Sequence, residues 1–174
     1  MGSIKFRTVP PILNVNMTKQ VQEMYGNHLR VRVCGLLVEN ERLLMVNHRD
    51  LTEGDFWAPP GGGLNFGESA YSCLQRELRE ETGLETEAGD FLFACEFIQK
   101  PLHAIELFFL LRHTGGTLVT GRDPEMKGKD QIIKTVQFLD WDEIQKMSPK
   151  ALHRIFRFTE EPGQITRLRG YFKV

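Results

Sequence analysis

One segment constrains this chain more than any other: Gly61 to Leu84, GGGLNFGESAYSCLQRELREETGL. Three consecutive glycines offer nothing to pack, so they belong where backbone must approach another group closely. Ser69 suits the N-cap of a helix and Gly83 the left-handed position that ends one, which predicts a helix running to Thr82. At about 100° per residue from Ala70, Leu74, Leu78 and Tyr71 fall at roughly 40°, 80° and 100° and define the core-facing stripe. Glu80, Glu77 and Glu81 fall at roughly 280°, 340° and 20°, bordering that stripe instead of lying opposite it. Like charges three and four positions apart repel by about 0.2–0.5 kcal/mol per pair. Arg76 can pair with Glu80, but Glu77 and Glu81 face each other with no cation in helical register. Carboxylates converging in a partly desolvated place hold a proton or bind a metal, and oxygen-only donors favour a hard divalent ion such as Mg2+ or Mn2+. The preceding glycines free a carbonyl for coordination, so glycines and acids together suggest diphosphate chemistry. The alternative is an acidic, loop-capped helix without a ligand.

Elements on either side give the segment a context. Residues 29–38 and 42–48 are apolar, β-branched runs joined by Glu39-Asn40-Glu41, and residues 91–99 and 104–112 are apolar runs joined through Pro101; both pairs read as hairpins. The stretch TEGDFWAPPGGG breaks periodicity with Gly and Pro. After a charged, Gly-rich loop over residues 113–130, residues 131–139 read as a strand. Two short helices are expected next, the second with Ser148 as cap and Pro149 as first helical residue. Mixed strands with interspersed helices imply an α/β or α+β layered domain. A chain of 174 residues, 41% hydrophobic and 26% charged, is enough for one substantial core. Residues 1–25 are expected to form an N-terminal arm and residues 26–174 a single domain.

A formal net charge of −1 gives no general sign of a nucleic-acid or membrane partner, although the charge is unevenly spread. Lys146, Lys150, Arg154, Arg157, Arg167, Arg169 and Lys173 outnumber Glu160 and Glu161 toward the C-terminus. That imbalance is either a solvated surface or a field that steers an anionic ligand. Cys34, Cys73 and Cys95 are an odd number at no metal-ligand spacing, which suits buried thiols in a reducing compartment. No apolar stretch reaches the roughly 18 residues of a membrane span, and a cytoplasmic location is expected.

The pattern Gly62, five residues, Glu68, seven residues, then Arg76-Glu77-Leu78-Arg79-Glu80-Glu81-Thr82-Gly83-Leu84 resembles the complete signature of the Nudix hydrolases. The motif spans 23 of the 174 residues, and the Trp57 to Gly62 lead-in and the flanking hairpins fit that family too. The resemblance implies an α/β/α sandwich with a mixed sheet. It also implies hydrolysis, with Mg2+ or Mn2+, of a phosphoanhydride in a nucleoside diphosphate linked to another moiety: ADP-ribose, a nucleotide sugar or a nucleoside triphosphate. By position, it assigns Glu77, Glu80 and Glu81 to the metal, with Glu77 as base, and gives Arg76 the orientation of a carboxylate. Glu68 would brace the loop against the helix, the Gly62 carbonyl would help bind the ion, and Gly83 would end the helix. A further carboxylate is expected from Asp123, Glu125 or Asp130, with Glu125 favoured. Glu106 interrupts the apolar run AIELFFLL; it either contacts a base, ribose or metal, or pairs with Arg30 or Arg32. Trp57 and Phe56 either stack on a nucleobase or pack beneath the loop. The expected partner is a small nucleotide, and family members often form homodimers. Two alternatives are an RNA 5′-end pyrophosphohydrolase using the basic C-terminal segment, and a non-catalytic nucleotide-binding sensor.

Overall fold

Asn40 and Glu41, both at positive φ (48° and 62°), close the hairpin between β2 (Leu29–Glu39) and β3 (Arg42–Thr52). A two-residue turn of that hand matches the twist of its flanking strands. In this computed structural model, which describes residues 6–8, 26–52, 54–121 and 132–174, the two strands pair only at Val38–Leu43 and Glu39–Arg42 and then part. Strand β2 runs parallel to β7 (Leu102–Gly116), from Leu29–His103 to Leu37–Leu111. Strand β3 instead pairs antiparallel with β4 (Gly54–Ala58) and β8 (Ile133–Asp140). On β2 the first sheet continues through β7 to β6 (Leu84–Gln99), and on its other side to β5 (Gly61–Gly63). Beyond β6 lie β9 (Gly170–Lys173) and β1 (Phe6–Thr8), both parallel.

Because side chains alternate across a strand, β2 and β3 feed two cores. Val33, Leu37, Leu44 and Val46 face one, with Leu74 and Leu78 of helix α1 (Ala70–Thr82). Cys34, Leu36, Leu43 and Met45 face the other, with Phe93, Phe108, Phe172, Ile155 and Ile165. Strands buried on both faces read as unbroken apolar runs, which is how these segments look in the sequence. Helix α1 therefore covers one side of the mixed sheet. The short helix α2 (Trp141–Lys146) and two 3-10 segments (Arg154–Phe158 and Pro162–Arg167) cover the other, giving the expected α+β layered arrangement. Asp140 and Glu143 form a reciprocal capping box that starts α2. No helix among the described residues is long and apolar enough to cross a membrane.

The helix expected at Ser148 and Pro149 is not formed. The Ala151 amide closes a turn on the Ser148 carbonyl (2.8 Å), and the chain then joins β4: Trp57 N donates to Ala151 O (2.7 Å) and His153 N to Trp57 O (2.8 Å). Pairing with that strand edge buries Leu152, and the local helical preference gives way to it. Strand β9 went unanticipated because four residues carry too little pattern. Phe6–Thr8, within the expected N-terminal arm, pairs with it in the register Phe6–Tyr171.

A buried carboxylate with two partners also fastens the C-terminal segment. His153 Nε2 lies 2.9 Å from Glu106 Oε2, and Arg32 Nε lies 3.6 Å from Glu106 Oε1. Burial pushes the Glu106 carboxyl upward, but His153 and then Arg32 outweigh it and hold the group at about 2. A folded-state value below the unfolded value of about 4.3 contributes stability that is present above the unfolded value and lost as pH falls through about 2. Glu106→Gln should therefore destabilise the protein at pH 7 by about 3–5 kcal/mol, since Arg32 loses its buried counter-charge. It should also flatten the decline of Tm between about pH 4.3 and pH 2. Thermal unfolding of both proteins across that range checks both expectations.

Candidate active site

Helix α1 forms where its caps allow it. Ser69 Oγ accepts from Ser72 N (3.1 Å), and Gly83, at φ 73°, donates from its amide to Arg79 O (3.0 Å). With these ends fixed, the helix rotates Leu74 and Leu78 into the core and brings Glu77 and Glu81 to its edge, 9% and 7% exposed. Strand β5 lies across that edge, its glycines paired to β2 as Cys34–Gly61, Val33–Gly62 and Arg32–Gly63. Gly61 N donates to Glu81 Oε2 (2.8 Å). A Cβ on Gly62 would collide with the Glu77 carboxyl, and one on Gly61, where φ is 148°, with the Val33 carbonyl. Close approach thus requires glycine at both positions.

Arg76 organises the acidic groups. Its Nε and Nη2 donate to the two oxygens of Glu68 (2.9 and 3.0 Å), and Nη2 also donates to Gly63 O (3.2 Å). Its Nη1 donates to Glu77 Oε1 (2.7 Å) and Glu80 Oε2 (3.2 Å). The fork of a guanidinium is what permits one residue to serve three carboxylates and a carbonyl. Hydrogen bonding from Arg76 holds Glu68 down at about 2, and Glu68 accepts in turn from Asn65 N (3.2 Å), so it ties loop to helix. Burial pushes Glu77 up to about 7; the Glu81 charge adds to this and Arg76 opposes it.

The donors fit a hard divalent cation. Two buried carboxylates stand side by side, and burial first, with the Glu81 charge adding to it, raises the proton affinity of Glu77. Among the described residues no three Asp, Glu, His or Cys side chains are grouped to hold an ion. Mg2+ is commonly held by one or two carboxylates, completed by water and substrate phosphate, so a pair is enough.

Trp57, at 8% exposed, is packed in the core with Leu139, Ile144 and Leu152, in keeping with the expectation that it packs beneath the loop. Glu106, at 6% exposed, has its oxygens engaged by His153 and Arg32, the second of the two arrangements expected for it. Glu125, with Asp123 and Asp130, lies outside the described residues. Two residues beside the glycine strand and Glu81, Arg32 and His48, were not assigned to the site from sequence, nor was His153 beyond them. Arg32 Nη2 donates to Gly61 O (2.8 Å), and buried His48 has Nε2 3.9 Å from Glu81 Oε1. The rings of His48 and His153 flank Phe56 at 6.5 and 6.1 Å. The available signal was polar residues inside apolar strands, Arg32 in β2 and His48 in β3; the sequence reading used Arg32 only as a partner for Glu106.

The family model described as NUDIX domain matches residues 26–160. A protein of Methanocaldococcus jannaschii named ADP-ribose pyrophosphatase is 26% identical over 123 residues, covering 70% of this chain and 68% of its own. The human protein named 8-oxo-dGDP phosphatase is 29% identical over 141 residues, which are 78% of this chain; the match spans only 41% of the human protein. The crystal structure of a UDP-X diphosphatase superposes with a TM-score of 0.61 at 20% identity, covering 83% of this chain and 67% of that one, and shares the fold. With the family's motif laid along α1 and β5 and its domain matching most of the described chain, the protein belongs to the Nudix family and is a Nudix-type hydrolase.

Proposed function

We propose that this chain hydrolyses the phosphoanhydride bond of a nucleoside diphosphate linked to a second moiety, using Mg2+ or Mn2+, with ADP-ribose the first substrate to test. The observation that carries the reading is the pair of adjacent buried carboxylates, Glu77 and Glu81, covered by a strand of glycines. The name of the archaeal relative supports the choice of ADP-ribose. Free, buried Cys34, Cys73 and Cys95 suit a reducing, cytoplasmic setting.

The family pattern would have Glu77, Glu80, Glu81 and the Gly62 carbonyl hold the ion; of these, Glu77 and Glu81 are the buried pair that stands together here. When bound, such an ion neutralises charge on phosphate oxygens and acidifies the water that attacks phosphorus. The chain itself supplies placement. Arg76 fixes one oxygen each of Glu77 and Glu80, and Glu68 fixes Arg76. Glu77 accepts the proton of the attacking water. Glu125, by the family pattern, is a second candidate for that role.

A panel of ADP-ribose, nucleotide sugars, nucleoside triphosphates and 5′-triphosphorylated RNA, each with Mg2+ or Mn2+, tests the assignment. ADP-ribose should yield AMP and ribose 5-phosphate, and chelation of the metal should stop the reaction. Cleavage of RNA alone, with steep salt dependence, would replace the proposed substrate by an RNA 5′ end; no cleavage of any member would leave a nucleotide sensor. Glu81→Gln should lower kcat/KM by about a hundredfold or more, while Tm stays near or above the parent's because repulsion with Glu77 is relieved. Gly62→Ala should lower turnover as well, since its methyl group displaces the Glu77 carboxyl. Steady-state kinetics with circular dichroism on each variant checks both.

A further inference from the structure

Arg32, Glu106 and His153 lie outside the Nudix motif, yet they form one line of contacts that ends on a motif carboxylate. We infer that Arg32 is a positioning residue for Glu81, acting through the Gly61 peptides and held in place by the Glu106–His153 pair. The inference rests on the proposed role of Glu81 as a cation ligand.

Gly61 is gripped from both sides: its N–H donates to Glu81 Oε2 and its carbonyl accepts from Arg32 Nη2, each at 2.8 Å. These two groups belong to adjacent peptide planes joined at a Cα without a side chain, the most freely rotating joint a chain can have. At φ 148° the residue occupies backbone space that other residues rarely enter, so no side chain restrains it. The Arg32 bond fixes one plane and thereby limits where the other aims its N–H. The plane bearing the Gly61 N–H is held on its other edge by Gly35 N on Pro60 O (2.9 Å), so Arg32 supplies the second of two restraints that aim the hydrogen bond to Glu81.

Arg32 is restrained in turn. Its Nε faces Glu106 Oε1 at 3.6 Å, and Glu106 Oε2 is 2.9 Å from His153 Nε2. His153 Nδ1 accepts from Ile155 N (3.4 Å), which leaves the ring proton on Nε2, where it is donated to Glu106. The line therefore starts on the backbone of a 3-10 segment and passes through β7, β2 and β5 to the helix. Replacing Arg32 alone would also leave buried Glu106 without one of its two partners. A guanidinium presents fanned donors that reach a carbonyl and a carboxylate together, which a lysine ammonium does not.

Binding of Mn2+ to the metal-free protein, followed by calorimetry, separates positioning from mere stability. Arg32→Lys keeps the charge and should weaken Mn2+ binding about tenfold, the usual order for loss of a support behind a ligand. Arg32→Gln should also weaken it, although removal of a positive charge near Glu77 and Glu81 would by Coulomb's law alone tighten cation binding. Adding Arg32→Gln to Glu81→Gln should cost nothing further, because the path runs through Glu81. Unchanged or tighter binding in the single Arg32 variants, with only Tm lowered, would overturn the inference, as would additive losses in the double variant. If Arg32→Gln does not fold, Arg32→Lys alone and in combination with Glu81→Gln decides the matter. Should Glu81→Gln itself leave Mn2+ binding untouched, the cation reading fails first and the inference falls with it; that result differs from a failure confined to Arg32.

Discussion

Two carboxylates buried side by side are the constraint around which the rest of this structure is arranged. Glu77 and Glu81 sit on the inner edge of α1, where solvent cannot dissipate their repulsion. The fold meets that cost locally with the Arg76 guanidinium on one carboxylate and the Gly61 amide on the other. It does not remove the cost entirely, as the raised proton affinity of Glu77 records. A residual negative field directed at one place is what a site for cationic or phosphate-bridging chemistry requires.

Delivering Gly61 to Glu81 depends on the sheet. Strand β5 is short, yet it is held by β2, itself anchored along its length to β7. The brief hairpin contact between β2 and β3 lets one strand support the glycines while the other carries His48 toward the same carboxylates from the second sheet. Divergence of two apolar strands after two rungs thus places groups from both sheets around one helix edge.

How much of this was legible in the sequence depends on the range of the interaction involved. Helix α1, with Ser69 and Gly83 at its ends, is set by bonds within a few residues, and its stripe and caps were readable as such. A brace from Glu68 between loop and helix was the family pattern's expectation; its partner, Arg76, bound bidentately, was not named there. The Ser148–Pro149 segment carried a sound local helix signal, but the edge of β4 claimed its neighbours' backbone groups. Glu106 announced itself as a carboxylate in need of a partner. Arg32 was among the partners considered, whereas His153 was not, because nothing local ties the two segments together.

The carboxyl end of α1 has one more feature with reach beyond packing. Instead of ending in solvent, the helix has its last carbonyls taken up by the strand-exit segment: Val119 N on Thr82 O (2.9 Å) and Gly121 N on Glu81 O (2.8 Å). A Cβ on Gly121 would strike the Glu80 carbonyl, so the two backbones are in direct contact. An insertion or deletion between Gly116 and Gly121 would therefore be transmitted to the acidic residues themselves, whereas a change of length beyond Gly121 would leave those bonds alone. The spacing of the chain between Gly116 and Gly121 is thereby tied to the backbone of the helix that carries the acidic residues.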